Sequence, residues 1–542
     1  MRRAGVRDQC RGPGARFQQA HAGKDVNTEQ VATASSNAEA ERNRKTHLKP
    51  VQKLIYGSGA LADGMAGAAA GYLFFYMTAV CGLSGTLAGA SLLIAIVIDS
   101  IADPLIGSLS DNMPSRFGRR HPWMLAAALP LLLFVAMLFS PPSTLKDWWL
   151  FAWMTLAAIG MRLSISLFSI PHIALGAELS DDYLQRSNIV AYRILFTVVP
   201  AIVGPLLMLR VFTHNQNDLL HRAGYAPFAW ACGAIAAAAA IACTLGTRGT
   251  LSRLHVVARK SGNAFGRFAR DMAEIFTDRN FVILFVGALV YSTAQAVSGQ
   301  LGLHMAEFFW RLSNRVLFWT NVAGAAGAVL GFPLAAWLQR KFEKHAILAM
   351  MLALLCLGNA IVPVLRIIDV LPPSGPGLLI PLFMLNPLGG AGQVLLGITF
   401  YSVMADATDR HEYVFHARRE GLFFSGLAFS AKTASALGSF IAGRALDWIG
   451  FPSGIAEKGP HLHIAARTIT ELALISGPAS AALMALPAVL VLLVHSDRHE
   501  IARTQQALSD RRRLQGVVTD PATAATAQAE GSRETAASLA AR

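Results

Sequence analysis

The stretch Ile98-Asp99-Ser100-Ile101-Ala102-Asp103-Pro104 sets two carboxylates inside a run that otherwise suits only lipid. Apolar residues lead up to it from Leu83 to Val97 and resume after it at Leu105, Ile106 and Leu109. An ionised aspartate at bilayer depth costs on the order of 3 kcal/mol, so such a group lines a cavity or pairs with a cation. Four residues apart, Asp99 and Asp103 share one helix face. Two acids placed in this way require a proton, a metal cation or a basic side chain. Lys432, inside the apolar segment Gly421 to Trp448, is a basic partner of that kind. A purely structural ion pair between packed helices is the competing reading.

Composition extends the membrane reading to the whole chain. With 542 residues, 54% hydrophobic and only 15% charged, and a mean hydropathy of +0.43, the chain is a polytopic membrane protein. Its formal charge of +14 does not point to nucleic acid, because the basic residues fall in short loops and in the tails, as the positive-inside rule requires. The five cysteines, Cys10, Cys81, Cys232, Cys243 and Cys356, lack metal-site spacing and read as small packing residues. Residues 1–50 and 498–542 are polar and read as a disordered extension and a disordered tail. The extension has no apolar signal core.

Twelve windows are long enough to cross a hydrocarbon core of about 30 Å. They are 53–80, 83–109, 122–141, 147–177, 188–212 and 226–246, then 280–306, 315–339, 345–366, 377–404, 420–448 and 470–495. The expected fold is all-α, two six-helix bundles over 51–246 and 280–497 joined by a basic linker, 247–279. In that linker Phe265, Phe268, Met272 and Phe276 interleave with basic residues and suit a surface-lying amphipathic helix. Arginines and lysines crowd alternate loops, including Arg119, Arg120, Arg248, Lys260, Arg340, Lys344 and Arg410. Both termini are therefore expected in the cytoplasm and the protein in the cell's inner membrane. A weak repeat supports the division: Gly107 to Arg120 and Gly331 to Lys344 each place a glycine before a basic cluster.

The loop with Gly107, Asp111, Arg116, Gly118, Arg119 and Arg120 resembles the signature of the major facilitator superfamily. Asp111 is expected to accept charge-assisted hydrogen bonds from Arg116 or Arg119 and so latch one end of the bundle. Further stretches resemble the glycoside-pentoside-hexuronide:cation symporter family, the melibiose-permease-like carriers. These are Lys53-Leu-Ile-Tyr56-Gly57-Ser-Gly59, Asp99-Ser-Ile-Ala-Asp103-Pro104, Ile170-Pro171 through Tyr183, Tyr192-Arg193, Ala405-Asp406 with Asp409, and Arg418-Arg419-Glu420-Gly421. The resemblance spans residues 53–495. It implies the major facilitator fold and a cation-coupling site at Asp99, Asp103 and Lys432. It also implies a gate that includes Asp406, Arg418 and Arg419. Two carboxylates and one ammonium leave a net negative site that one bound cation completes, and a neutral site is occluded more cheaply than a charged one.

The departures from the family pattern bear on the cargo. Ala102 stands where the family has an asparagine, and Ala428 where it has a polar residue one turn before the lysine. Loss of neutral oxygen donors favours H+ over Na+ as the coupling ion, since a dehydrated metal ion needs several oxygens. Arg193 matches the family's helix-five arginine, whereas Ser169 replaces its sugar-reading aspartate. Asp63 sits one residue from the matching helix-one position, a turn of about 100°. Tyr291, Asn321 and Gln393 are further candidates for a hydroxyl-binding cavity, with Gln295 and Asn386 beside them. No cofactor, structural metal or nucleic acid is expected. The reading is of a monomer in the lipid bilayer that moves a small polar solute, a sugar or glycoside, with a cation. The alternatives are a lysolipid or amphiphile carrier on the same scaffold, or a non-transporting sensor. No HExxH or GxSxG motif points to an enzyme.

Overall fold

Lipid offers the backbone no hydrogen-bond partner, so a spanning segment must satisfy its own peptide groups, and the long apolar stretches fold as helices. The computed structural model describes residues 48–113, 115, 117–179, 183–213, 218–249, 276–277, 279–415, 420–458, 464–492 and 503–511. Among these residues there is no strand. The first half comprises α1 (Pro50–Ser58, Ala60–Phe75 and a π-helical end, Tyr76–Val80), α2 (Gly85–Asn112), α3 (His121–Leu138) and α4 (Asp147–Glu178). It closes with α5 (Tyr183–Leu206, then Leu207–Phe212) and α6 (Tyr225–Gly246). The second half comprises α7 (Arg279–His304, then Met305–Phe309), α8 (Asn314–Lys341), α9 (Lys344–Ile367) and α10 (Pro376–Phe415). Its last helices are α11 (Glu420–Trp448) and α12 (Ala466–Leu474, Ile475–Ala479 and Ser480–Leu492). Ten of these are long and apolar enough to cross a membrane, and α1 and α11 complete twelve.

The two halves repeat each other in detail that the loop motifs only hint at. At the end of α1, Cys81 N–H donates to the Tyr76 carbonyl at 2.8 Å and Leu83 N–H to Met77 at 2.9 Å; at the end of α7, Trp310 donates to Met305 at 2.8 Å and Leu312 to Ala306 at 2.9 Å. A serine then caps the next helix in each half, Ser84 for α2 and Ser313 for α8. Packing repeats as well. In the first half α2 lies on α4, α4 on α3, α3 on α6, α6 on α1 and α1 on α5, and α8, α10, α9, α12, α7 and α11 follow the same order.

The halves meet where α2 packs on α11, α5 on α8 and α1 on α7. The α2–α11 seam is closed by glycine: a methyl added at Gly443 would overlap the Gly85 backbone, and one at Gly89 would meet Ser439 and Phe440. Gly443→Val is therefore expected to cost about 1–3 kcal/mol through overpacking, measured as thermal stability in lipid nanodiscs. Gly397→Ala, whose added carbon meets nothing within 4 Å, should stay within about 0.5 kcal/mol of the parent.

Apolar burial is split unevenly along the membrane normal. One core cluster runs through the first half and takes in Val297, Leu301, Phe309, Leu317, Ala442 and Leu446, the ends of α7, α8 and α11 remote from the basic loops. A second cluster, with Phe281, Leu338, Ile347, Met404 and Phe423, belongs to the second half alone and lies at the basic-loop end. The halves thus share a core at the end opposite the basic loops and have separate cores at the basic end.

Residues 1–47 and 512–542, and the linker stretch 250–275, lie outside the described residues. The expected disorder of 498–542 is corrected over 503–511, which is helical. There Leu508 is buried and the Gln505 amide donates to Asp409 at 3.2 Å. Order at the other end begins before the expected boundary, since Leu48 is buried and its N–H donates to Gln185.

Candidate functional site

The i, i+4 spacing of Asp99 and Asp103 presents both acids from α2 to α11, where the glycine seam brings Lys432 against them. Lys432 Nζ donates to Asp99 Oδ2 at 2.7 Å and also to Asp103 Oδ2. Asp99 is almost fully buried, with 4% of its side chain exposed, whereas Asp103 keeps 28% and Lys432 32%. From α4, Ser166 Oγ donates to Asp99 Oδ1 at 2.6 Å. Asp103 Oδ1 is buried without a hydrogen-bond partner among the described residues. Pro104 has no N–H, so the Ser100 carbonyl one turn back loses its helical donor and adds a polar backbone atom beside the acids.

One residue of this cluster was not among those singled out from the sequence. Arg162, one turn before Ser166 on α4, lies within electrostatic reach of both Asp99 and Asp103. It adds a second cationic side chain to the surroundings of the two carboxylates, which the sequence reading counted with Lys432 alone.

The expected solute residues divide. Asp63 on α1 and Arg193 on α5 act on one another electrostatically, and Tyr56 lies within reach of both. Asp63 Oδ1 is buried and without a hydrogen-bond partner among the described residues. The one-residue step therefore does not carry Asp63 away from Arg193. The neighbouring Gly64 packs against Pro200 of α5, which turns Asp63 toward the earlier part of that helix. Ser169 is half-buried on α4. Asn321 spends its amide on the Leu317 carbonyl of its own helix, and Tyr291 packs against the second core cluster. Gln393 instead lines a cavity inside the second half, together with Gln295 and Asn386.

At the basic end, Gly118 takes a positive φ of 82°, which only glycine adopts without strain. The turn swings the next two arginines toward α4. Arg119 pairs with Glu178, and Arg120 bridges Glu178 and Asp111 at 3.0 Å each. Of the two expected partners of Asp111, Arg119 is claimed by Glu178 at the end of α4, and Asp111 is instead paired with Arg120. Arg116, Arg418 and Arg419 lie outside the described residues. A carbon added at Gly107 would meet only Ile170 on α4, at an ordinary 3.7 Å. The second half carries a counterpart of this cluster, in which Lys344 at the start of α9 donates to Asp406 of α10 at 2.6 Å.

The opposite end is tied across the halves. Both oxygens of Asp447, at the end of α11, accept from the first N–H groups of α2, Gly85 and Thr86, at 2.8 Å each. His304 of α7 forms a hydrogen bond with Thr78 of α1 at 2.9 Å. Phe74, Phe75 and Phe451 surround its ring. Asn314 donates to Thr213 at 2.9 Å.

A family model described as MFS/sugar transport protein matches residues 55–495. The uncharacterized symporter YnaJ of Bacillus subtilis is 25% identical over 415 residues, covering 76% of this chain and 85% of its own. The glucuronide carrier protein homolog of Escherichia coli is 24% identical over 414 residues, covering 73% and 83%. Among solved structures, a bacterial homologue of the human lysosomal transporter Spinster, inward-facing and unoccupied, superposes with a TM-score of 0.59. It does so at 13% identity, over 84% of this chain and 98% of its own, and the likeness is one of fold.

Proposed function

The chain belongs to the MFS/sugar transport protein family, and from that premise we propose that it is a secondary symporter coupling a cation, H+ in our reading, to the movement of a sugar or glycoside. The names of its relatives, a symporter and a glucuronide carrier protein homolog, support both the coupling and the carbohydrate class. The observation that carries the mechanism is the Asp99–Lys432–Asp103 bridge, because it spans the very seam along which the two halves must move.

Asp103 is the more accessible acid and holds a buried oxygen with no hydrogen-bond partner among the described residues, so it is the natural point of entry for a proton. A proton needs one oxygen, whereas a metal ion must gather several from a cluster already facing Lys432 and Arg162. Protonation removes one leg of the bridge from α11 to α2 and leaves Lys432 on Asp99 alone. The seam then rearranges at lower cost, because fewer buried charge pairs are broken. Arg193 and Asp63 are suited to hold solute hydroxyls at the facing surfaces. Binding of ion and solute together favours the conformer in which the two halves exchange access.

The basic loops are assigned to the cytoplasm. With that orientation the shared core lies at the external end, which supports reading this as the inward-facing conformer, and we place the carrier in the inner membrane with both termini inside. In this reading the working unit is a monomer. The test is ion movement driven by solute in vesicles holding the purified protein. A transported glycoside should shift the proton balance toward alkaline on the side from which it enters, without added Na+. Solute uptake that moves no ion, or that requires Na+, rejects proton symport.

A further inference from the structure

We propose that a cavity inside the second half, separate from the seam between the halves, is a binding site for an uncharged sugar ring. The inference rests on the carrier reading for its class of ligand. The cavity, of about 390 Å³, is bounded by α7, α9, α10 and α12, within the size range of small-molecule sites. Gln295, Gly299 and Gly302 fall on one face of α7 by their helical spacing. Thr293, Ala296 and Val297 on another face pack against Gly438 of α11, and His304 reaches the first half. The cavity therefore faces away from the seam, into the second bundle.

Two independent features mark it as a site. The first is the room its glycines leave. Elsewhere in these helices glycine allows close approach, as where Gly327 lies on Pro387 and Gly390 on Gly324. A carbon added at Gly299 or Gly302 meets nothing within 4 Å, and one at Gly358 across the cavity meets only Leu385, at 4.0 Å. Each glycine costs a helix about 1 kcal/mol relative to alanine, and here no packing contact offsets it. What these residues preserve is space, and Gly299, Gly302 and Gln393 are exposed, so that space can be reached.

The second feature is the lining. Among the described residues, the side-chain amides of Gln295 and Gln393 have no hydrogen-bond partner, although both border the cavity. Ser298 and Asn359 share a long bond of 3.4 Å. Within a membrane such amides ordinarily bind a neighbouring helix. An amide both donates and accepts, as does a sugar hydroxyl, while Trp310, Leu354 and Leu385 offer the apolar surface that a ring's C–H face needs. None of the lining side chains is charged. A carboxylated sugar would enter without a counter-ion and meet a large desolvation cost, which selects the neutral ring.

The test is equilibrium binding of radiolabelled methyl β-D-glucoside and methyl β-D-glucuronide to the purified full-length protein in nanodiscs, alongside uptake of both in vesicles. Gly302→Leu, which fills the cavity, and the double variant Gln295→Ala/Gln393→Ala, which empties it of amides, should each weaken glucoside binding about tenfold or more. Wild type should prefer glucoside to glucuronide by at least about tenfold. The double variant keeps the experiment decisive if the leucine disturbs folding, as judged by monodispersity. Glucoside uptake with affinity unchanged in both variants overturns the cavity and leaves the carrier standing. Cavity-dependent binding without uptake overturns the carrier and leaves the cavity. Stronger glucuronide binding overturns the uncharged class, and neither binding nor uptake of either probe overturns both proposals.

Discussion

Asp103→Asn is expected to abolish uphill accumulation of solute while leaving exchange down its gradient within a few-fold of the parent. One elementary charge moving through about 100 mV is worth about 2.3 kcal/mol, which can sustain roughly a fiftyfold solute gradient. The variant should sustain none, because an amide neither takes up a proton nor carries the charge that holds Lys432. Its bridge is left permanently as protonation would leave it, with Lys432 on Asp99 alone. Exchange should survive because Arg193 and Asp63, the side chains proposed to hold the solute, are on other helices. Asp99→Asn should lose accumulation as well, and in addition lose stability, since Asp99 is the deeply buried member and also accepts from Ser166. Counterflow and active uptake measured in the same vesicles separate the two quantities. Normal accumulation by Asp103→Asn would remove the acid pair from the coupling mechanism.

The loudest features of the sequence were those that physics penalises most. Carboxylates in an apolar run must find partners, and Asp99, Asp103 and Lys432 come together although the lysine is 329 residues beyond Asp103. Arg162 sends the same signal, a lone charge in an apolar segment, but nothing in its own neighbourhood ties it to the acids, and only the packing of α4 on α2 does so. The arginines after Gly118 were legible as a cluster, whereas the choice among Asp111 and Glu178 depends on where a positive-φ turn aims them. Asp447 reads as an ordinary solvated residue at a helix end, because its partners are backbone groups in the other half. Glycines that make room, such as Gly302, cannot be told in sequence from glycines that permit contact, such as Gly443, since the distinction lies wholly in what stands opposite.

Asp447→Ala is expected to shift the resting protein away from the conformer described, opening the end opposite the basic loops. The carboxylate does for α2 what an N-cap does, satisfying two of its unpaired N–H groups and facing the positive end of its dipole, but from a helix in the other half. Ser84 already caps Leu87 from within, so α2 itself survives the loss, and what weakens is the tie between halves. Caps contribute about 0.5–2 kcal/mol and a charge at the helix end about 0.3–1 kcal/mol more. The tie exists only while this end is closed, so the whole difference falls on the equilibrium between conformers. A change of about 1–3 kcal/mol moves that equilibrium by about 5- to 150-fold. Asp447→Asn, which keeps one acceptor oxygen and loses the charge, should move it less. Spin labels at Ser143 and Glu457, exposed residues of the two halves at this end, report the distance directly. The alanine variant should gain a longer-distance population that the parent lacks, and the asparagine variant a smaller one. Identical distance distributions in all three proteins would mean that the closed end is held by its shared apolar core and the remaining hydrogen bonds, without need of Asp447.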